Sequence, residues 1–70
     1  MIPLTMADTG IMVKIRKIGG PDKVRRHLQE MGFVVDAMIS IVTSIDDNLI
    51  VAVKDSRVAI SRELAERIMV

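Results

Sequence analysis

The sequence predicts a mostly β fold, a small barrel with one inserted α-helix and a short C-terminal helix. Three observations predict it. Over 11–18, 38–45 and 49–54 the large aliphatic residues fall on every second position, the period of a strand with one buried face. Only 21–31 carries its apolar residues at helical spacing. Turn chemistries punctuate the chain at Asp8-Thr9-Gly10, Gly19-Gly20-Pro21, Gly32, Asp46-Asp47-Asn48 and Asp55-Ser56.

The first strand reads IMVKIRKI over 11–18, with Ile11, Val13 and Ile15 alternating against Met12, Lys14 and Arg16. The phase slips at Lys17-Ile18, which signals a bulge or the strand end. Gly19-Gly20 then breaks the chain, and Pro21 suits the first position of a helix, where no backbone donor is needed. Asp22 is favourable against the positive end of the helix dipole. Val24, Leu28 and Met31 form one apolar stripe, Gly32 supplies the left-handed cap, and Phe33 is expected to fold back onto the stripe.

After the helix, Ile39 and Ile41 alternate with Ser40 and Val42, and Leu49, Val51 and Val53 with Ile50 and Ala52. Asp46-Asp47-Asn48 joins these two strands as a hairpin. Asp55-Ser56 turns the chain into a fourth strand, 57–60. Ser61 is a good N-cap for the short final helix, supported by i, i+4 pairs of Arg62 with Glu66 and Glu63 with Arg67. Ile68-Met69-Val70 forms a last strand. Five short strands around one helix point to a barrel, because closure removes the unpaired edges of a small open sheet.

The 70 residues suffice for one domain spanning 1–70, and half are hydrophobic. With one Phe and no Tyr or Trp, the core must be aliphatic, with the six Met as filler. The absence of cysteine excludes disulfides, thiolate metal sites and a cysteine nucleophile. It also favours the cytoplasm, since small secreted domains usually need such staples. No apolar run approaches the roughly 20 residues that span a bilayer, so no direct membrane insertion is expected. A net charge of +1 creates no global field that selects nucleic acid.

Groups able to carry chemistry are scarce. His27 is the only histidine, and no elbow motif presents Ser40, Ser44, Ser56 or Ser61 to it. No catalytic residue and no cofactor site is expected. His27 and Glu30 share a helix face, but two ligands fall short of the three or four that a tight metal site requires. The pair reads as a solvated face, and no metal site is expected. Gly19-Gly20 precedes a helix start yet matches neither the Walker nor the dinucleotide pattern, and reads as a tight turn.

Charge is unevenly placed. Lys14, Arg16, Lys17, Lys23, Arg25 and Arg26 cluster in one segment, while Asp46, Asp47 and Asp55 lie in the hairpins. The basic cluster reads either as an ordinary solvated face or as a partner-binding surface for an acidic protein or phosphates. No aromatic residue stands among these cations to stack bases, which argues against nucleic acid.

Val24-Arg25-Arg26-His27-Leu28-Gln29-Glu30-Met31-Gly32-Phe33 resembles the helix-and-cap motif of the FeoA family of ferrous iron transport proteins. Leu4-Thr5-Met6-Ala7-Asp8-Thr9-Gly10 resembles its opening leucine and turn. The 15–20 segment resembles its first strand and Gly-Gly turn, and 58–70 its closing helix and strand. The resemblance covers essentially the whole chain. Two positions depart from it: Val35-Asp36 stands where relatives usually carry Pro-Gly, and Asp55-Ser56 where they often carry Gly.

The resemblance implies an SH3-like barrel in the bacterial cytoplasm. It implies binding to the cytoplasmic region of FeoB, the membrane ferrous-iron transporter, as its accessory or regulator. A monomer or weak homo-oligomer is expected. A rival reading is a stand-alone SH3-like domain related to DtxR-type metal-dependent repressors, regulating a partner by protein–protein contact. Direct nucleic-acid binding is the third.

Overall fold

A computed structural model describes all 70 residues. A single 3₁₀ turn at Leu4–Met6 leads to strands β1 (Val13–Lys14) and β2 (Lys17–Ile18), then helix α1 (Asp22–Glu30). Strands β3 (Met38–Ile45), β4 (Asn48–Val53) and β5 (Ser56–Ser61) form a meander, followed by one turn of helix α2 (Arg62–Ala65) and strand β6 (Ile68–Met69). The strands make two antiparallel sheets, one ordered β1-β3-β4-β5 and one pairing β2 with β6.

Six strands are present where the pattern suggests five, because the first strand divides between the two sheets. The Ile15 amide donates to the Ala37 carbonyl at 2.9 Å, on the β3 side, while the Arg16 amide donates to Met69 at 2.8 Å, on the β6 side. The composition demands this corner. Strict alternation after Ile15 would bury Lys17; turning at Arg16 puts Ile18 inside instead, and both isoleucines are buried. The N-terminus adds to the second sheet: Ile2 and Val70 exchange backbone hydrogen bonds at 2.9 and 2.8 Å.

The alternation in the meander is realised residue by residue. Ile39, Ile41, Leu49, Val51, Val53 and Ile60 are buried. A bulge between Ile41 and Thr43 shifts the β3–β4 register without turning these residues outward. The hairpin loops have two residues each, Asp46-Asp47 and Lys54-Asp55, with Asp46 and Lys54 at positive φ. The second loop therefore starts one residue earlier than Asp55-Ser56.

Helix α1 is amphipathic in the expected phase: Leu28 is wholly buried, with Val24 and Met31 packed partly against the core. Pro21 is its N-cap and not its first helical residue. At the other end Gly32 has φ +99, the Gly32 amide donates to Gln29 and the Phe33 amide to Leu28, both at 3.0 Å. This pair of bonds is a Schellman cap, and it returns Phe33 to the core beside Leu28. Helix α2 is capped by Ser61, whose hydroxyl accepts from the Leu64 amide at 3.1 Å. The expected pairs within α2 do not form, since α2 is a single turn; Arg62 reaches across to Asp47 at 3.3 Å instead.

All thirteen buried residues are apolar and form one cluster between the sheets and helices. The barrel is thus held by packing of its two sheets and not by a continuous ring of hydrogen bonds. One consequence is that β5 keeps an unpaired outer edge.

Candidate partner-binding site

The described fold leaves one cleft, about 400 Å³ in volume, lined by Ile18, Asp22, Arg25, Arg26, Gln29 and Val35. Its position follows from local structure. At about 3.6 residues per turn, Asp22, Arg25, Arg26 and Gln29 share one flank of α1, beside the Val24-Leu28-Met31 stripe that anchors the helix. Ile18, at the end of β2, lies just before the Gly-Gly turn into α1. Val35 follows the helix cap, in a turn closed by the Ala37 amide on the Val34 carbonyl at 3.1 Å. That turn carries Asp36 at φ +75, so it is as tight as a type II turn even without Pro-Gly.

The electrostatics of the cleft are asymmetric. Arg25 is engaged in a salt bridge with Asp22 one turn earlier. Arg26 has no carboxylate partner, and so is the free cation of the cleft. Gly20, at φ +102, lies against the Arg67 side chain: a Cβ there would meet a guanidinium nitrogen at 3.1 Å. Arg67 also binds the turn through its backbone, accepting from the Gly19 amide at 2.8 Å.

The six basic residues singled out in the sequence are all exposed, but only Arg25 and Arg26 line the cleft. Lys23 falls on the other flank of α1 with His27 and Glu30. Lys14 is in β1, opposite Met38. Arg16 and Lys17 occupy the corner between the sheets. Sequence reasoning missed Ile18, Gln29 and Val35 as neighbours of the arginines. Only tertiary packing joins them, and no local pattern announces it.

Reactive chemistry is thin throughout. No three of the His, Asp and Glu side chains gather in a group able to hold a metal ion. No buried side-chain polar atom lacks a hydrogen-bond partner. No helix is long and apolar enough to cross a membrane.

A small β barrel with a charged helix, an apolar core and a surface cleft defines a compact SH3-like domain. The chain belongs to the FeoA domain family, whose model matches residues 2–70, and so to a family linked to ferrous iron transport. A crystal structure of an iron uptake regulatory protein (FeoA) is similar, at 31% sequence identity and a TM-score of 0.88, covering 97% of this chain and 90% of that one. A manganese-dependent transcriptional repressor shares the fold at 16% identity and a TM-score of 0.82, over 94% of this chain and 38% of the repressor. Among curated proteins, none matches the sequence.

Proposed function

We propose that this protein is a cytoplasmic accessory subunit that docks on the cytoplasmic region of a FeoB-type ferrous iron transporter and regulates it. Membership of the FeoA family supports the choice of partner. The observation that carries a binding role is the α1 cleft, where an unpaired Arg26 shares a mostly polar lining with Ile18 and Val35, its two apolar members. Such a cleft accepts an acidic or mixed acidic and apolar segment: the two apolar residues give contact area and the cation gives orientation and steering.

Of the basic residues, Arg25 and Arg26 form the centre of the proposed contact, with Lys14, Arg16, Lys17 and Lys23 contributing long-range attraction. The interface is modest in area and transient, as befits a domain of this size. Calorimetric titration with the transporter's cytoplasmic segments tests the reading. Arg26→Glu is expected to weaken binding by on the order of tenfold and to reduce its salt dependence. Arg25→Glu should act less, since Arg25 already spends its charge on Asp22. Equal binding by Arg25→Glu/Arg26→Glu and the parent protein removes this face of α1 from the interface.

A further inference from the structure

We propose that the open edge of β5 takes up an extended segment of another protein, alternating acidic and apolar residues, as a further strand of the four-stranded sheet. This proposal is independent of the α1 cleft.

The ladder determines which groups are free. Val53 pairs with Ser56 across the two-residue loop, Val51 with Val58 and Leu49 with Ile60. In an antiparallel hairpin every second pair exchanges hydrogen bonds, beginning with the pair that closes the loop. Ser56, Val58 and Ile60 therefore bond β4, while Arg57 and Ala59 turn their N–H and C=O groups away from it. Strand β5 has no other strand neighbour, and neither residue makes a backbone hydrogen bond to a turn or loop. Two donors and two acceptors thus stand in a row along an exposed edge, the template that strand addition uses.

Apart from the charge of Arg57, this edge lacks the guards that proteins usually give one. The β4–β5 register runs through six pairs without a bulge, and β5 contains no proline and no inward-pointing charge. The opposite edge of the sheet, β1, is protected by being only two residues long.

The side chains specify the occupant. Arg57 points to the outer face beside Ala52, has no carboxylate partner, and stands near the loop end of the edge, as the second residue of β5. Val58 points inward, opposite Val51, and is only half-buried against the core. An incoming strand meets these demands with carboxylates on its outer face, against Arg57, and aliphatic side chains on its inner face, covering Val58. A second copy of this chain fits less well, because it would bring its own Arg57 to an edge that already carries that cation and would supply no carboxylate from β5.

Amide hydrogen exchange by NMR tests the proposal. The probes are an end-capped octapeptide of alternating glutamate and valine and its lysine-for-glutamate counterpart. At millimolar glutamate peptide, exchange of the Arg57 and Ala59 amides should slow by about tenfold or more, while the lysine peptide leaves it unchanged. Ala59→Pro removes one of the donors and should abolish the effect with little change in melting. Should that variant fail to fold, Arg57→Glu retains every backbone group and should reverse the preference to the lysine peptide. Unchanged exchange with the glutamate peptide would overturn the proposal. So would protection that rises with protein concentration in the absence of peptide, which assigns the edge to a second copy.

Discussion

The Phe33 amide donates to the Leu28 carbonyl at 3.0 Å, and both side chains are fully buried. One backbone bond thus ties the end of α1 to the largest residue of the core. Leu28 is the sole wholly buried residue of the helix, so it carries most of the helix's attachment to the sheets. Leu28→Ala should cost about 2–5 kcal/mol, a large part of the stability of so small a domain. A urea melt measures it. A loss below about half a kcal/mol would be the behaviour of a surface position and would contradict the packing described.

Gly32 holds the same cap from the outside. Its φ of +99 is strained for any residue with a side chain, and a Cβ would lie 2.9 Å from Cγ1 of Val53. Gly32→Ala therefore combines backbone strain with overlap against β4, and should cost roughly 1–3 kcal/mol. The two causes separate in a double-mutant cycle. In a Val53→Ala background the overlap is gone and only the strain remains, so the Gly32→Ala penalty should shrink. An identical penalty in both backgrounds would mean that the close approach contributes nothing.

The parts of this fold legible in the sequence are those with a local cause. The 3.6-residue stripe of α1, the Gly32 cap, the return of Phe33 and the Ser61 cap each follow from residues a few positions apart, as does the inward set Ile39, Ile41, Leu49, Val51 and Val53. The corner at Ile15-Arg16 was visible only as a phase slip. Its meaning, a change of sheet, depends on β3 and β6, which lie far along the chain. The pairing of Ile2 with Val70 left no local sign at all. The same holds for the site. The basic residues are obvious in composition, but which of them share the cleft with Ile18 and Val35 depends on how α1 packs. Arg62 illustrates the point in reverse: an i, i+4 partner, Glu66, is present in the sequence, yet the helix is too short to use it and the ion pair forms with Asp47.

The ligand inventory makes a prediction against the iron-related family name. With one histidine, no cysteine and no group of three potential ligands, the isolated chain should show no stoichiometric submicromolar binding of ferrous iron or zinc. Anaerobic calorimetry measures it. Tight one-to-one binding to the monomer would contradict the reading. Weak bridging of two molecules through His27 and Glu30 would not, because two ligands from each of two chains complete a tetrahedral shell.

The turn after the cap predicts that this protein can be stabilised by two exposed substitutions. The Ala37 amide bonds the Val34 carbonyl, Asp36 sits at φ +75, and the Val35 amide donates to no backbone acceptor. These are the features of a type II turn, whose favoured central residues are Pro and then Gly. Val35-Asp36 adopts that geometry without either. Val35→Pro removes freedom from the unfolded chain at a position whose N–H is not used, and should add about 0.4–1 kcal/mol. Asp36→Gly relieves the left-handed strain but enlarges the unfolded ensemble, so its gain should be smaller, since aspartate tolerates this region better than most residues. Asp36→Val, which places a β-branched residue at positive φ, should cost on the order of 1–3 kcal/mol. Chemical melts of the three variants should therefore rank Asp36→Val below the parent and Val35→Pro above it. Were Asp36→Val as stable as the parent, Asp36 could not hold the left-handed conformation, and the cleft wall at Val35 would have a different shape.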